Sequence, residues 1–124
     1  MLGKKDIIER LNTQLFISKD YWVITGAAMV LYGIKEETKD IDLGAGSKFI
    51  DELISLGYEY SFCSDGTRKV VFQEFEIFEN WIYDTTTLID DIPVISLNGL
   101  IEMKTQIGRE KDFRDIEAIK EFMR

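Results

Sequence analysis

The sequence contains no histidine, one cysteine (Cys63) and one proline (Pro93). Without histidine it lacks the commonest general base near neutral pH and the commonest zinc ligand. A single thiol allows neither an internal disulfide nor a multi-cysteine metal site. Positive charge is also scarce: 15 lysines and arginines stand against 23 acids, for a net charge of −8. Such a surface repels phosphate backbones at long range and disfavours broad nucleic-acid binding, yet it leaves room for a local cationic pocket or a metal-bridged nucleotide. No apolar run approaches the roughly 18 residues of a membrane span. The opening stretch MLGKKDIIERLNTQLF is amphipathic with acids in it, unlike a secretory signal. The expected location is cytoplasmic, with no membrane partner. Acid–base or metal chemistry must rest on carboxylates, which suit hard ions such as Mg²⁺ or Mn²⁺.

What is present suits one globular domain over residues 1–124, with 45% hydrophobic residues and no repeats or linkers. Ile7, Ile8, Leu11 and Leu15 recur at helical spacing and predict a helix from residue 4 to about 16. The β-branched and aromatic run Tyr21–Thr25 predicts a strand ended by Gly26, and AAMVLY a short helix stopped by Gly33. DIDL begins a strand that GAG should break. Ser47 is placed to cap a helix carrying Phe49, Ile50, Leu53 and Ile54 inward, ending at Gly57. Asp65-Gly66 predicts a hairpin turn, and residues 68–80 continue as one bent strand or two. Ser96 is an N-cap, with Ile95 and Leu100 as a hydrophobic staple. Asp112, with Asp115 three residues on, is placed to cap a last helix whose Phe113, Ile116, Ile119 and Met123 face inward. Interleaved helices and strands with a central hairpin predict an α/β (α+β) fold, a small mixed sheet flanked by helices.

The residues that carry chemistry begin at TKDIDL. Side chains alternate along a strand, so Asp40 and Asp42 share a face while Ile41 and Leu43 point into a core. Two close carboxylates repel, and a divalent ion resolves the conflict. The plainer alternative has Asp40 capping a turn and Asp42 facing solvent. The preceding ITGAA sets a glycine between an apolar strand and a helix, where backbone N–H groups and the helix dipole suit phosphate; simple turn geometry would explain the same glycine. EFEIFE offers a third acid among Glu74, Glu76 and Glu79. Glu76 sits between Phe75 and Ile77 as Asp42 sits between Ile41 and Leu43. An acid there could complete a metal site and orient or deprotonate an attacking hydroxyl.

The stretch VITGAAMVLYGIKEETKDIDL (residues 23–43) resembles the nucleotidyltransferase superfamily of the DNA polymerase β-like fold, in which a strand ending in Gly-Gly or Gly-Ser leads through a helix to hydrophobic-Asp-hydrophobic-Asp-hydrophobic. Its TKDIDL part, with the tail VISLNGLIEMKTQIGREKDFRDIEAIKEF, looks like small bacterial members related to lincosamide nucleotidyltransferases and abortive-infection toxins. The resemblance implies transfer of a nucleoside monophosphate from an NTP to an acceptor hydroxyl, with release of pyrophosphate. It implies that Asp40 and Asp42 bind Mg²⁺, that Glu76 stands as the third metal-binding, catalytic carboxylate, and that Gly26 and Ala27 meet the triphosphate. The chain departs from the pattern in three ways: Ala27 stands where Ser or Gly is usual, the third acid is a glutamate, and there is little room for a separate acceptor-binding domain.

Lys104, Arg109 and Lys111 are the candidate cations for the triphosphate; Lys104, inside the apolar LIEMK, would otherwise be a snorkelling lysine. Asp112 and Asp115 read as caps or partners of Arg109, Lys111 or Arg114, Trp22 and Trp81 as core or interface residues, and Cys63 as structural. Three functions follow: a metal-dependent nucleotidyltransferase; a catalytically inactive protein of that fold acting as a nucleotide-binding, regulatory or antitoxin-like partner; or a protein-interaction domain with a fortuitous D-x-D. The acceptor and the base of the NTP stay open, as does a homodimer or partner protein that completes the acceptor site.

Overall fold

The computed structural model of the chain describes residues 1–14 and 20–124. Helix α1 (Lys4–Thr13) buries Ile7 and Leu11; the chain is already extended at Gln14, and Leu15 lies outside the described residues. Strand β1 (Tyr21–Ile24) runs straight into helix α2 (Thr25–Tyr32), which closes on Gly33 in the left-handed region at φ 86°. Strand β2 (Ile41–Ala45) leads to helix α3 (Ser47–Ser55). Strands β3 (Tyr60–Phe62) and β4 (Arg68–Phe72) form the expected hairpin around Gly66, φ 86°.

Residues 68–80 form two strands. β5 (Phe75–Glu79) folds back antiparallel on β4 through a tight turn in which Gln73 takes φ 51°. A second hairpin, β6 (Thr86–Ile89) with β7 (Ile92–Ile95), was not expected from the sequence. Helices α4 (Leu97–Ile107) and α5 (Glu110–Met123) complete the chain.

All seven strands join one mixed sheet in the order β3-β4-β5-β2-β1-β7-β6. The chain starts near the middle and grows toward both edges: β1 pairs antiparallel with β2 and parallel with β7, and β2 pairs parallel with β5. The register sets Ile24 opposite Asp42, and Asp42 opposite Glu76. Val23, Ile41, Leu43, Val70, Phe75, Ile77 and Val94 are fully buried, and the core is closed by Met29, Ile50, Leu53, Leu100 and Met103 from the helices. No helix among the described residues is long and apolar enough to cross a membrane.

Four local expectations need correction. Gly44 does not break β2, because it pairs with both Trp22 and Phe78 inside the sheet. Its missing side chain is the space into which Trp22 lies: an added Cβ would meet Trp22 Nε1 at 2.1 Å and the Trp81 carbonyl at 2.6 Å. Gly44→Ala is therefore expected to lower the unfolding free energy by about 1–3 kcal/mol in a denaturant titration, the usual cost of forcing a packed site apart. Ser47 is the first helical residue rather than the cap; Gly46 holds that position and the Ser47 hydroxyl accepts from Asn80 Nδ2 at 3.3 Å. At α5 the cap is Arg109, whose backbone N–H donates to Asp112 Oδ2 at 3.1 Å, so Asp112 serves as the third helical residue of the box. Ile116 and Ile119 are buried as expected, whereas Phe113 is 52% and Met123 47% exposed. Ser96 does cap α4, its Oγ accepting from Gly99 N–H at 3.0 Å, and Ile95 and Leu100 are both buried beside it.

Candidate functional site

A cleft of about 600 Å³ opens where the first turn of α2, the loop before β2, the middle of β5 and the α4–α5 corner meet. The size is that of a small-molecule site. Its walls carry five acids (Glu37, Asp40, Asp42, Glu76, Asp115) and five cations (Lys35, Lys39, Lys104, Arg109, Lys111). In a chain of net charge −8, the cleft is a place where cations match the acids in number.

β2 and β5 supply the carboxylates. Parallel pairing in register puts Asp42 and Glu76 side by side on one face of the sheet. Asp40, one residue before β2, is exposed on the same cleft. Thr25 donates its hydroxyl to Asp42 Oδ2 at 2.6 Å, and the other oxygen, Oδ1, is buried with no hydrogen-bond partner among the described residues. Burial pushes the Asp42 carboxyl up to about 7; the Thr25 hydroxyl works against that rise, and the neighbouring Glu76 and Asp40 add to it. Thr25 holds this contact from φ 53°, a left-handed conformation that a β-branched residue adopts only when its surroundings impose it.

The three candidate acids of β5 go to different places. Glu74 lies before the strand and pairs with Arg10 at 2.6 Å. Glu79 is buried and hydrogen-bonded to the Arg68 backbone and guanidinium, which holds its carboxyl down to about 2. Only Glu76 stands beside Asp42, with Lys69 Nζ 3.9 Å from its Oε1. Among the described residues no group of three or more His, Cys, Asp and Glu side chains is gathered into a ready ion site. What is gathered is the Asp42–Glu76 pair, with Asp40 on the cleft wall.

Gly26 lines the cleft, and its lack of a side chain has a packing reason as well: an added Cβ would sit 2.8 Å from Thr38 Oγ1. Ala27 does not line the cleft; its methyl is fully buried in the core. Lys104 reaches the cleft but is 3% exposed, and its ammonium bonds to Asp115 at 2.9 Å and lies 3.6 Å from Asp112. Lys35 Nζ meets the other Asp115 oxygen at 3.0 Å, and the Arg109 guanidinium bonds Asp112 at 2.7 Å. Burial alone would raise both carboxyls, but these cations outweigh it and hold Asp112 and Asp115 below the usual range. Asp115 thus pairs with Lys104 and Lys35, while Arg114 pairs with Glu110. Lys39 and Lys111 form no ion pair among the described residues.

Sequence reasoning missed Thr25, Lys35, Lys39, Phe78 and the cleft-facing role of Trp81. Lys35 and Lys39 lie in the stretch between Gly33 and Asp40, which has no hydrophobic period to place a side chain in a cleft. Thr25 carried no signal at all, since its conformation is set by what surrounds it.

No protein-family model and no curated protein matches the chain. Among solved structures, it is similar to a protein of Thermotoga maritima described as a "putative nucleotidyltransferase", with a TM-score of 0.55 and 17% sequence identity over 96% of this chain and 89% of that one. At that identity the two share a fold: the mixed seven-stranded sheet with five helices among the described residues is nucleotidyltransferase-like.

Proposed function

We propose that residues 1–124 act as one minimal nucleotidyltransferase domain, moving a nucleoside monophosphate from an NTP to an acceptor hydroxyl. The observation that supports this most is the Asp42–Glu76 pair, with a buried, unpartnered Asp42 oxygen at the floor of a cation-bearing cleft. An orphaned carboxylate oxygen beside a second carboxylate is a donor set for a hard divalent ion. Asp42 and Glu76 would hold Mg²⁺ or Mn²⁺, with Asp40 at its side. A bound ion would neutralise phosphate charge and favour ionisation of an acceptor hydroxyl.

The chain's own residues supply the rest. Lys39 and Lys111, which have no ion-pair partner among the described residues, would bind the triphosphate oxygens together with Lys35 and Arg109 at the rim. The first turn of α2 at Gly26 would approach it closely. The acceptor oxygen attacks the α-phosphorus, the bond to the β-phosphate bridging oxygen breaks, and pyrophosphate leaves with that electron pair. Glu76, on the rigid β5, would take the acceptor proton. Lys104, already committed to Asp115 and Asp112, would fix the α4–α5 wall rather than meet phosphate directly.

The test is melting of the protein with an NTP and Mg²⁺, together with pyrophosphate release in the presence of acceptor mixtures. The reading expects a rise of several degrees with NTP and Mg²⁺ together, lost in Asp42→Ala. Ala27, which brings no hydroxyl to the cleft, favours a second reading: a nucleotide-binding protein of this fold without catalysis. Stabilisation by nucleotide with no pyrophosphate from any acceptor selects that reading, and no response to metal or nucleotide removes both.

A further inference from the structure

The sheet face that carries the carboxylate pair also carries an aromatic platform. Glu76 and Phe78 lie two residues apart on β5, so they share a face and are separated by roughly 7 Å along the strand. Trp81 stacks on Phe78 with ring centroids 4.3 Å apart and planes 17° from parallel. Both residues line the cleft.

This platform is fixed from several sides. Trp22 donates its indole N–H to the Trp81 carbonyl at 2.7 Å, and Trp22 can lie there because Gly44 leaves β2 open beneath it. Lys69 sits 5.6 Å over the Phe78 ring while its ammonium is 3.9 Å from Glu76. Trp81 covers Phe78 on one side and Lys69 lies over that ring, so the flat surface the stack leaves to a planar ring is that of Trp81, and stacking there needs no sequence-specific hydrogen bonds.

The cleft is also ordered along the sheet. Gly26 and the α4–α5 cations enter from the β1 and β7 side, the carboxylates stand on β2 and β5, and the aromatic residues are on and after β5. An extended ligand with its phosphates toward α2 and α4 and its reacting phosphorus at Asp42 would place its ring at Phe78 and Trp81. We propose that the Phe78–Trp81 stack is the binding platform for the nucleobase of the NTP. This inference rests on the nucleotide reading above and adds to it which wall holds the base.

The experiment compares NTPs with inorganic tripolyphosphate, each with Mg²⁺, using melting temperature and intrinsic tryptophan fluorescence. The wild-type protein should bind both, bind the NTP about tenfold or more tightly, and show fluorescence quenching with the NTP alone. Trp81→Leu should weaken the NTP by about the same factor and leave tripolyphosphate unchanged, while Trp81→Phe should restore most of the difference. Phe78→Leu reads the same platform should Trp81→Leu fail to fold. Equal binding of NTP and tripolyphosphate by the wild type, or a folded Trp81→Leu that keeps full NTP preference, overturns the platform and leaves the triphosphate site standing. A wild-type protein that binds neither probe overturns the nucleotide reading and the platform with it.

Discussion

Asp42→Asn is expected to raise the melting temperature of the metal-free protein at about pH 8, by roughly 5–15 °C, and to remove stabilisation by NTP and Mg²⁺. In the unfolded chain Asp42 ionises near 3.8, and in the fold at about 7, because it is buried beside Glu76 and Asp40. Between those values the folded state keeps a proton that the unfolded state has lost. Its contribution therefore falls as pH rises through the window, and the full cost is present above about 7. Ionising a carboxyl held that far above its ordinary value costs the fold roughly 4 kcal/mol. Because part of that cost comes from the neighbouring Glu76 and Asp40, which can shift when the charge is removed, the gain from the neutral amide is expected on the order of 2–4 kcal/mol. Asparagine keeps an oxygen to accept the Thr25 hydroxyl, so the change isolates charge from geometry. Melting curves from about pH 4 to 8 check this: the wild type should lose stability with rising pH over that range, and the variant should be flatter. A variant that melts at or below the wild type at alkaline pH would show that the buried carboxylate is not strained.

The second large effect is in the opposite direction. Lys104→Met is expected to cost about 3–5 kcal/mol, because it leaves Asp112 and Asp115 inside the fold without their shared cation. Asp112 has no exposed surface, and Arg109 is then its remaining partner; Asp115 keeps only Lys35. The sign also predicts a pH dependence. Both carboxyls sit below their ordinary range, so their contribution is present above about pH 4 and is lost as pH falls below it. Lys104→Met should weaken that acid dependence, and Lys104→Met with Asp115→Leu should recover part of the loss. Denaturant unfolding of the two singles and the double completes the cycle, and a loss of under 1 kcal/mol for Lys104→Met would mean that the buried cluster contributes little.

Much of the site could be read in the chain. Asp42 was visible because a two-residue period forces acid and apolar side chains onto opposite faces, and Glu76 because it repeats that pattern between Phe75 and Ile77. Their adjacency was not readable, since it depends on the parallel register of β2 and β5, which joins residues 34 positions apart in the chain. The β6–β7 hairpin escaped for a local reason. Its turn uses Asp90 and Asp91 at φ 50° and 64°, where glycine or asparagine is the usual signal, and Pro93 sits inside β7. Pro93 is tolerated there at a position paired with Leu88 of the edge strand. Lys104 looked like a snorkelling lysine because its partner lies beyond the left-handed turn at Gly108, one helix further on. Phe113 misled because an aromatic residue beside a helical apolar stripe looks like part of it, and the fold leaves it 52% exposed.

The attachment of β7 has a kinetic meaning. β2 and β5 are matched at five positions, whereas β7 meets β1 at the single register pair Val23–Val94, joining residues from opposite ends of the chain. Contacts of such long sequence separation form late and reopen early. The β2–β5 half of the cleft, with Lys35 and Lys39 ahead of β2, can thus assemble on its own strands, and Lys104, Arg109 and Lys111 of the α4–α5 corner behind β7 arrive afterwards. A folding or partly opened molecule would hold Asp42 and Glu76 without the three cations of the α4–α5 corner, so all five cleft cations face an anionic ligand only once β7 has docked.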